Sequence, residues 1–537
     1  MRTRMLLTLF CLILAGIFIL FPQFNYQEFL YQGDHGRDLH AFWATSQGDT
    51  PYRDYWWVYG PLMPYFYGLL FKILGVGLPA VLAGRIFLLL CSAIFVFLAL
   101  SLFIPRLIAF LGALWFLVFM PDFFFTYNHV GGIAGLVAVA YFLLRYIRKR
   151  SVDNLYALLA GVFLLCFIKV NFGLAALAVT VVVVPLFDRF AENPTPPGNR
   201  KAFLWLALTL VPCAVILAYA FFIRGLPLYV IRQCLPYLSI DHPHHAPVFK
   251  TMCLWWEAIA LNMNVNWPNR LFALIVIFSG LRTFYVIYRH PERGKENHEL
   301  LFAILALALF YVACLHEFFV SGIPYRTFWA KPFSLLLLFL FLGSAVKSLS
   351  RITTIAFAVM LAILIAFTHI NHVHSISLRK TGNQFLPLER ARIFVGNTPR
   401  WIETVRQATL FLRDNLADDE TFFAYPYESM FYFLAAKPSP TRHTIFYKHI
   451  NITPSQEQGI IDDLERRGVN WVLLSSRVLA EKPDLEAFEG SCCPRILRYI
   501  TDNFQTAAEW GDWTYPPGWT SPYGVRILKR GPPPTAR

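Results

Sequence analysis

The chain has 537 residues, 57% of them hydrophobic and only 15% charged, with a mean hydropathy of +0.49. A soluble globular protein carries about 25% charged residues, so this composition excludes an ordinary soluble domain, and its continuous apolar runs argue against a membrane β-barrel, whose strands alternate. The net charge is +14, but residues 1–370 hold 27 Lys/Arg against 15 Asp/Glu, mostly in short loops between apolar runs; that is a positive-inside bias rather than a nucleic-acid footprint.

The apolar run 5–21 opens the chain behind Arg2 and Arg4. No small-residue cleavage site closes it, so it reads as a retained anchor with its N-terminus inside. Further runs near 80–104, 106–121, 130–147, 155–169, 172–187, 202–222, 270–288, 299–316, 328–346 and 352–370 bring the expected spans to eleven. The fold class is therefore a polytopic α-helical membrane protein, with a transmembrane domain over 1–370. Arg148-Lys149-Arg150, Arg200-Lys201, Arg282 to Lys295 and Lys347 to Arg351 then fall on the cytoplasmic side. The loops 22–79, 122–129, 223–269 and 317–327 fall outside, and an odd number of spans sends the tail outside as well. Within the first external loop, 61–78 is apolar but too short and aromatic to span, which suits an interfacial helix.

The tail changes character and is expected to form an extracytoplasmic α/β domain over 375–530. Thr398-Pro399 starts a helical pattern that reaches about Asn415. Thr453-Pro-Ser-Gln456 is a capping box with Pro at the first helical position, and Gly468 ends that helix. Segments 421–425, 469–474 and 524–528 read as strands.

The nine Cys show no zinc-ligand spacing. Cys234 and Cys253 share one loop and can pair if it faces an oxidising compartment. Asp241-His-Pro-His244-His245 is the one His cluster, and it reads as a solvated loop more readily than as a zinc site. No Gly-rich nucleotide loop occurs.

The first external loop carries the densest chemistry: Asp34-x-Gly36-Arg37, Gly48-x-x-Pro51-Tyr52-Arg53-Asp54, Tyr59-Gly60-Pro61-Leu62 and Phe71-x-x-x-Gly75. With Arg85 and Lys169-x-Asn171-x-Gly173, these words resemble the GT-C superfamily of membrane glycosyltransferases. The bacterial relatives of protein O-mannosyltransferases and lipid A aminoarabinose transferases are the most similar in pattern. The matching words lie within 5–190; beyond that the likeness rests on the span count and the external tail.

The resemblance implies a hexosyl- or pentosyltransferase in a bacterial inner membrane. It would move a sugar from a polyprenyl-phosphate carrier to a lipid, glycan or protein acceptor at the outer face. No cofactor is fixed by these residues, and a divalent metal is left open. A lipid phosphate leaves readily if cations neutralise it, whereas an acceptor hydroxyl needs a base, and a single inverting displacement needs a carboxylate on the acceptor side.

The resemblance makes Asp34 the candidate base; the competing reading is an N-cap for a helix starting near Gly36. Asp38 lies four residues on, on the same helical face, and pairs with Arg37 or with a donor's cation. Asp122, at the outer end of the third span, is a candidate second acid, with Asn128-His129 as the alternative and an aromatic-belt position as the plain reading. Asp54 reads as an ion-pair partner of Arg53. Arg37, Tyr59, Lys169, Asn171 and Arg326 are the substrate-binding candidates. Lys169 ends an apolar run, so it either snorkels to headgroups or binds carrier phosphate; Arg326 and Lys331 offer the same choice. Gly60 stands where family members often carry a Lys. Clustering of Arg37, Lys169 and Arg326 around one cavity would favour the enzyme over two rivals, a lipid-precursor transporter or flippase and a non-catalytic envelope scaffold.

Overall fold

The computed structural model describes residues 2–120, 126–190, 298–321, 324–347, 349–396, 398–446, 452–479, 493–515, 517 and 521–531, with scattered positions between 207 and 289. Asp122, the 241–245 His cluster, Cys234 and Cys253 lie outside the described residues. Chain contacts divide the protein into two compact units: Met1–Phe21, Ile86–Pro121 and Asn128–His372 form one, and Pro22–Arg85, Asp122–Tyr127 and Val373–Arg537 the other.

The first unit is helical. Among the described residues seven helices are long and apolar enough to cross a membrane: Thr3–Gln23, Leu78–Ser101, Tyr127–Arg148, Val170–Phe190, His298–Phe319, Arg326–Val346 and Arg351–Arg379. Two other expected spans form the shorter apolar helices Arg106–Phe119 and Val152–Ile168. The 14 residues of Arg106–Phe119 reach only ~21 Å at 1.5 Å per residue, less than the ~30 Å of a hydrocarbon core. The expected spans 202–222 and 270–288 fall mostly outside the described residues.

Close helix approach is built from small residues. Gly173 lies against the backbone of Cys166, where a Cβ would sit 2.8 Å from the Cys166 amide nitrogen, and Gly343 and Gly112 lie against Ile104 and Phe339. The Val170–Phe190 helix packs on both Val152–Ile168 and His298–Cys314. Buried Asp188 accepts from the Tyr146 hydroxyl at 3.1 Å and pairs with Arg150 at 2.9 Å, so this charge in the helical unit has a cation beside it.

The second unit joins the first external loop to the tail. Helix Gly33–Ser46 packs against Leu62–Leu74 and against the short helix Met430–Ala435. Phe42 stacks on Tyr67 at 4.3 Å between ring centroids. The expected interfacial segment 61–78 thus contains the 13-residue helix Leu62–Leu74; it buries Tyr67 and Phe71 and exposes Tyr65, Leu69 and Ile73.

Strands β1 (Phe385–Leu388) and β2 (Ala391–Phe394) pair antiparallel as a hairpin. Phe394 exchanges backbone hydrogen bonds with the loop, donating to Asn25 at 2.8 Å and accepting from Gln27 at 2.9 Å. The second sheet holds β3 (Phe422–Tyr425), β4 (Trp471–Ser475), β5 (Phe504–Trp510) and β6 (Val525–Arg530), in the order β3-β4-β6-β5. The β3–β4 pair is parallel and the other two are antiparallel. A parallel pair needs a crossover, and here it carries helix Pro454–Arg466, whose Ile460 and Leu464 pack on Phe423, Val472 and Leu528.

The two helices and three strands expected in the tail begin within a residue or two of their expected positions, whereas β1, β2, β5 and the helices Met430–Ala435 and Pro494–Asn503 are not anticipated from the sequence. Helix Pro399–Asn415 has Pro in its first turn, and Thr453 and Gln456 form the capping box that starts Pro454–Arg466.

Candidate active site

Two polar constellations stand out, one in each unit. In the second unit, Gln32 is extended (φ −64°, ψ 127°) and helix Gly33–Ser46 begins at once after it. Asp34 therefore lies in the first turn, where the helix dipole favours a carboxylate. It is not the N-cap, and no side chain caps this helix. Residues three apart meet on a helix surface, and Arg37 Nη1 donates to Asp34 Oδ1 at 2.7 Å. The same guanidinium donates to Asp38 Oδ1 through Nη2 at 2.9 Å and Nε at 3.1 Å.

Arg37 and Asp38 are buried, whereas the Asp34 side chain keeps 26% of its surface exposed. The Arg37 guanidinium also lies 4.8 Å from the Tyr59 ring and 5.6 Å from Trp57. Burial opposes its charge, but Asp34, Tyr59, Tyr427 and Asp38 outweigh that, and its pKa rises well above the ordinary arginine value. Gly60 offers a backbone carbonyl to the Trp57 indole at 3.0 Å.

Asp34 has one further partner, the hydroxyl of Tyr427 from the tail, which donates to the same Oδ1. Its Oδ2 has no partner among the described residues. One carboxylate oxygen is held from two sides and the other is left open. His35, beside it, is fully buried with neither ring nitrogen hydrogen-bonded, and burial pushes its pKa down to about 3. The imidazole is therefore neutral at physiological pH.

In the first unit, Lys169 is a single extended residue (φ −152°, ψ 107°) between helices Val152–Ile168 and Val170–Phe190. It is buried rather than snorkelling, and its Nζ lies 2.6 Å from Glu317 Oε1. Asn171 donates to that same oxygen and lies 2.9 Å from His316 Nε2, while the Trp329 indole donates to Glu317 Oε2 at 2.9 Å. His129 stacks on Trp329 at 4.6 Å, and Lys169 Nζ lies 4.2 Å from the Phe172 ring and 4.9 Å from Trp329. Arg326, also buried, is a further cation within electrostatic reach of Glu317.

Of the sequence candidates, Asp34, Arg37, Asp38 and Tyr59 thus come together in one unit, and Lys169, Asn171 and Arg326 in the other. Asp54 pairs with Arg53 at 2.6 Å, as its sequence neighbourhood suggests. Sequence reading misses Glu317, because 317–327 reads as an external loop, whereas the apolar helix runs on through Phe319. The signal was present: a lone carboxylate at the end of an apolar run is as costly as the Lys169 it pairs with. It also missed Tyr427, for which no local pattern exists. Among the described residues no group of three His, Cys, Asp or Glu is arranged to hold a metal ion.

A helical membrane-type unit carrying long apolar spans, and an α/β tail that contacts the first loop, define a class of architecture that comparison with solved structures makes specific. No protein-family description and no curated protein sequence matches the chain. The oligosaccharyltransferase of Archaeoglobus fulgidus in its apo form superposes with a TM-score of 0.51 at 12% identity, over 89% of this chain and 70% of that one. Two other structures from that organism align at 12% identity over 88% of this chain with a TM-score of 0.47. One is the archaeal oligosaccharyltransferase AglB with an inhibitory peptide and a dolichol-phosphate, covered over 70%; the other is the oligosaccharyltransferase with Zn and sulfate, covered over 68%. The chain has a GT-C-like fold.

Proposed function

We propose that this protein is an integral membrane glycosyltransferase. It transfers a hexosyl or pentosyl group from a polyprenyl-phosphate carrier to a lipid, glycan or protein acceptor at the outer face of a bacterial inner membrane. Its N-terminus is cytoplasmic, residues 1–370 form the transmembrane domain, and 375–530 form an extracytoplasmic domain. The GT-C-like fold supports the class. One observation carries the mechanism: Asp34 is fixed through Oδ1 by Arg37 and Tyr427 while Oδ2 stays open and the side chain partly exposed.

In this reading Asp34 Oδ2 takes the proton of the acceptor hydroxyl as that oxygen attacks the anomeric carbon. The bond from the anomeric carbon to the carrier's phosphate oxygen breaks in the same displacement, inverting the anomeric centre. Polyprenyl phosphate leaves with the electron pair. Asp38 keeps Arg37 in place, and Arg37 and Tyr59 line the acid. Asp122 remains the proposed second acid. The cations Lys169 and Arg326, with Asn171, are proposed to bind the carrier phosphate, where a compact ammonium and a planar guanidinium neutralise the leaving group.

The test is complementation of a deletion strain with wild type and with Asp34→Asn, followed by profiling of lipid-linked sugars. Loss of a general base slows transfer on the order of a hundredfold or more, so carrier-sugar accumulates in the Asn strain while the protein stays folded. Wild-type transfer by Asp34→Asn removes Asp34 from the role of base.

A further inference from the structure

We infer that the tail works as a clamp on the proposed base, with Tyr427 as the positioning residue that sets the orientation of the Asp34 carboxylate. The inference rests on the reading of Asp34 as base. Four observations in the second unit support it. The Tyr427 hydroxyl donates to Asp34 Oδ1, the oxygen that Arg37 also holds, so the rotation of the carboxylate is fixed from two directions. Gly33 allows the approach: a Cβ there would fall inside the Tyr427 ring. Gly36, one turn on, lies flush against the tail, where a Cβ would sit 2.8 Å from the Met430 amide nitrogen.

The fourth observation is a fully buried arginine that locks the same two segments together from behind. Arg477 Nη2 donates to the Tyr31 carbonyl at 2.5 Å, two residues before the helix start. Its Nε donates to Glu428 Oε1 at 2.9 Å, and Glu428 follows Tyr427 in the chain. Arg477 also lies 4.4 Å from the Tyr523 ring. A buried arginine with a buried carboxylate partner holds its neighbours in one arrangement, because breaking the ion pair is costly and breaking the carbonyl contact gives up a buried hydrogen bond. Residues 31–34 and 427–428 are thereby held in register at both ends, and the phenol–carboxylate contact becomes a fixed feature rather than a chance surface one. Supporting groups of this kind set a reactive side chain to within a fraction of an ångström.

The clamp is tested by infrared spectroscopy of the full-length protein in detergent, with aspartate isotope-labelled at its side-chain carboxyl. The band absent from Asp34→Asn belongs to Asp34. Tyr427→Phe keeps the ring and removes the hydroxyl; it is expected to shift that band and to slow transfer in the complemented deletion strain roughly tenfold, the scale of one lost hydrogen bond. Gly33→Ala is expected to shift the same band with the hydroxyl still present, by displacing the ring, and the double variant to add nothing further. An Asp34 band unmoved by Tyr427→Phe overturns the clamp. Full transfer by Asp34→Asn overturns the base assignment instead, whatever the band does, so the two failures are distinguishable.

Discussion

Replacing Glu317 by Gln probes the buried constellation of the helical unit most directly. The Gln side chain keeps the shape and one carbonyl acceptor but removes the charge that faces Lys169 at 2.6 Å. At an effective dielectric of 20, unit charges at that distance attract by about 6 kcal/mol. Much of this offsets the desolvation of two ions, so the pair adds little net stability relative to apolar neighbours. Removing one partner is another matter, because the buried ammonium of Lys169 then loses the carboxylate that faces it at 2.6 Å. Breaking buried pairs in this way costs about 3–5 kcal/mol. In thermal unfolding of the detergent-solubilised protein, followed by tryptophan fluorescence at fixed scan rate, Glu317→Gln is expected to lower the apparent Tm by roughly 3–4 °C. Lys169→Met alone should do the same. The double variant Lys169→Met/Glu317→Gln removes both charges of the pair and should cost less than the sum of the two single losses. Under the proposed phosphate-binding role it should still fail to transfer sugar. Additive losses in the double variant, or an unchanged Tm in Glu317→Gln, would refute the pairing.

Other perturbations separate fold from chemistry. Arg477→Met strands Glu428 in the second unit and should lower stability by about 3–5 kcal/mol, read in the same unfolding experiment. Removal of the exposed Arg53–Asp54 pair by Arg53→Ala should leave the Tm unchanged, because solvent screens that contact. Thr453→Ala deletes the capping box of Pro454–Arg466 and should cost about 1 kcal/mol. His35, His40 and His443 have folded-state pKa values lowered by burial to about 3, 4 and 4. Such groups bind fewer protons folded than unfolded, so their contribution is complete above the unfolded value near 6.5 and fades as pH falls toward 3–4. Stability should therefore decline steadily below about pH 6.5, and His35→Phe should flatten part of that slope; an identical slope in the variant would show His35 to be solvated.

Local signals carried far in this sequence. The capping box at Thr453, the Pro that opens Pro399–Asn415 and the apolar runs behind β3, β4 and β6 each depend on residues within a few positions. Such features survive because no distant contact is needed to define them. The first-loop constellation was half legible: Arg37 and Asp38 lie three and four residues after Asp34, so their association with it follows from helix geometry alone. The helix start was misplaced because no Ser, Thr, Asn or Asp caps it, and Gln32 takes that position with no side-chain bond. The contact of Tyr427 with Asp34 spans almost four hundred residues of chain, a distance at which periodicity and propensity say nothing. The span count met a different obstacle. Hydropathy identifies apolar runs but not the length of helix each one forms, and the expected spans 106–121 and 155–169 are helices of 14 and 17 residues.

The two carboxylate sites obey one rule with opposite outcomes. Each acid sits where an uncompensated charge would be costly, and each has a cation within 3 Å. Glu317 has both oxygens engaged, Oε1 by Lys169 and Asn171 and Oε2 by Trp329, and is itself buried. To accept a proton from an incoming hydroxyl it would first have to surrender one of those bonds. Asp34 directs both its partners to Oδ1, and among the described residues Oδ2 has none. A base needs a lone pair that no resident donor occupies and a position that substrate can reach. On that criterion the proposed base is Asp34, with Glu317 holding the helices, so exchanging Glu317 for Gln should be felt first in stability and exchanging Asp34 for Asn first in turnover.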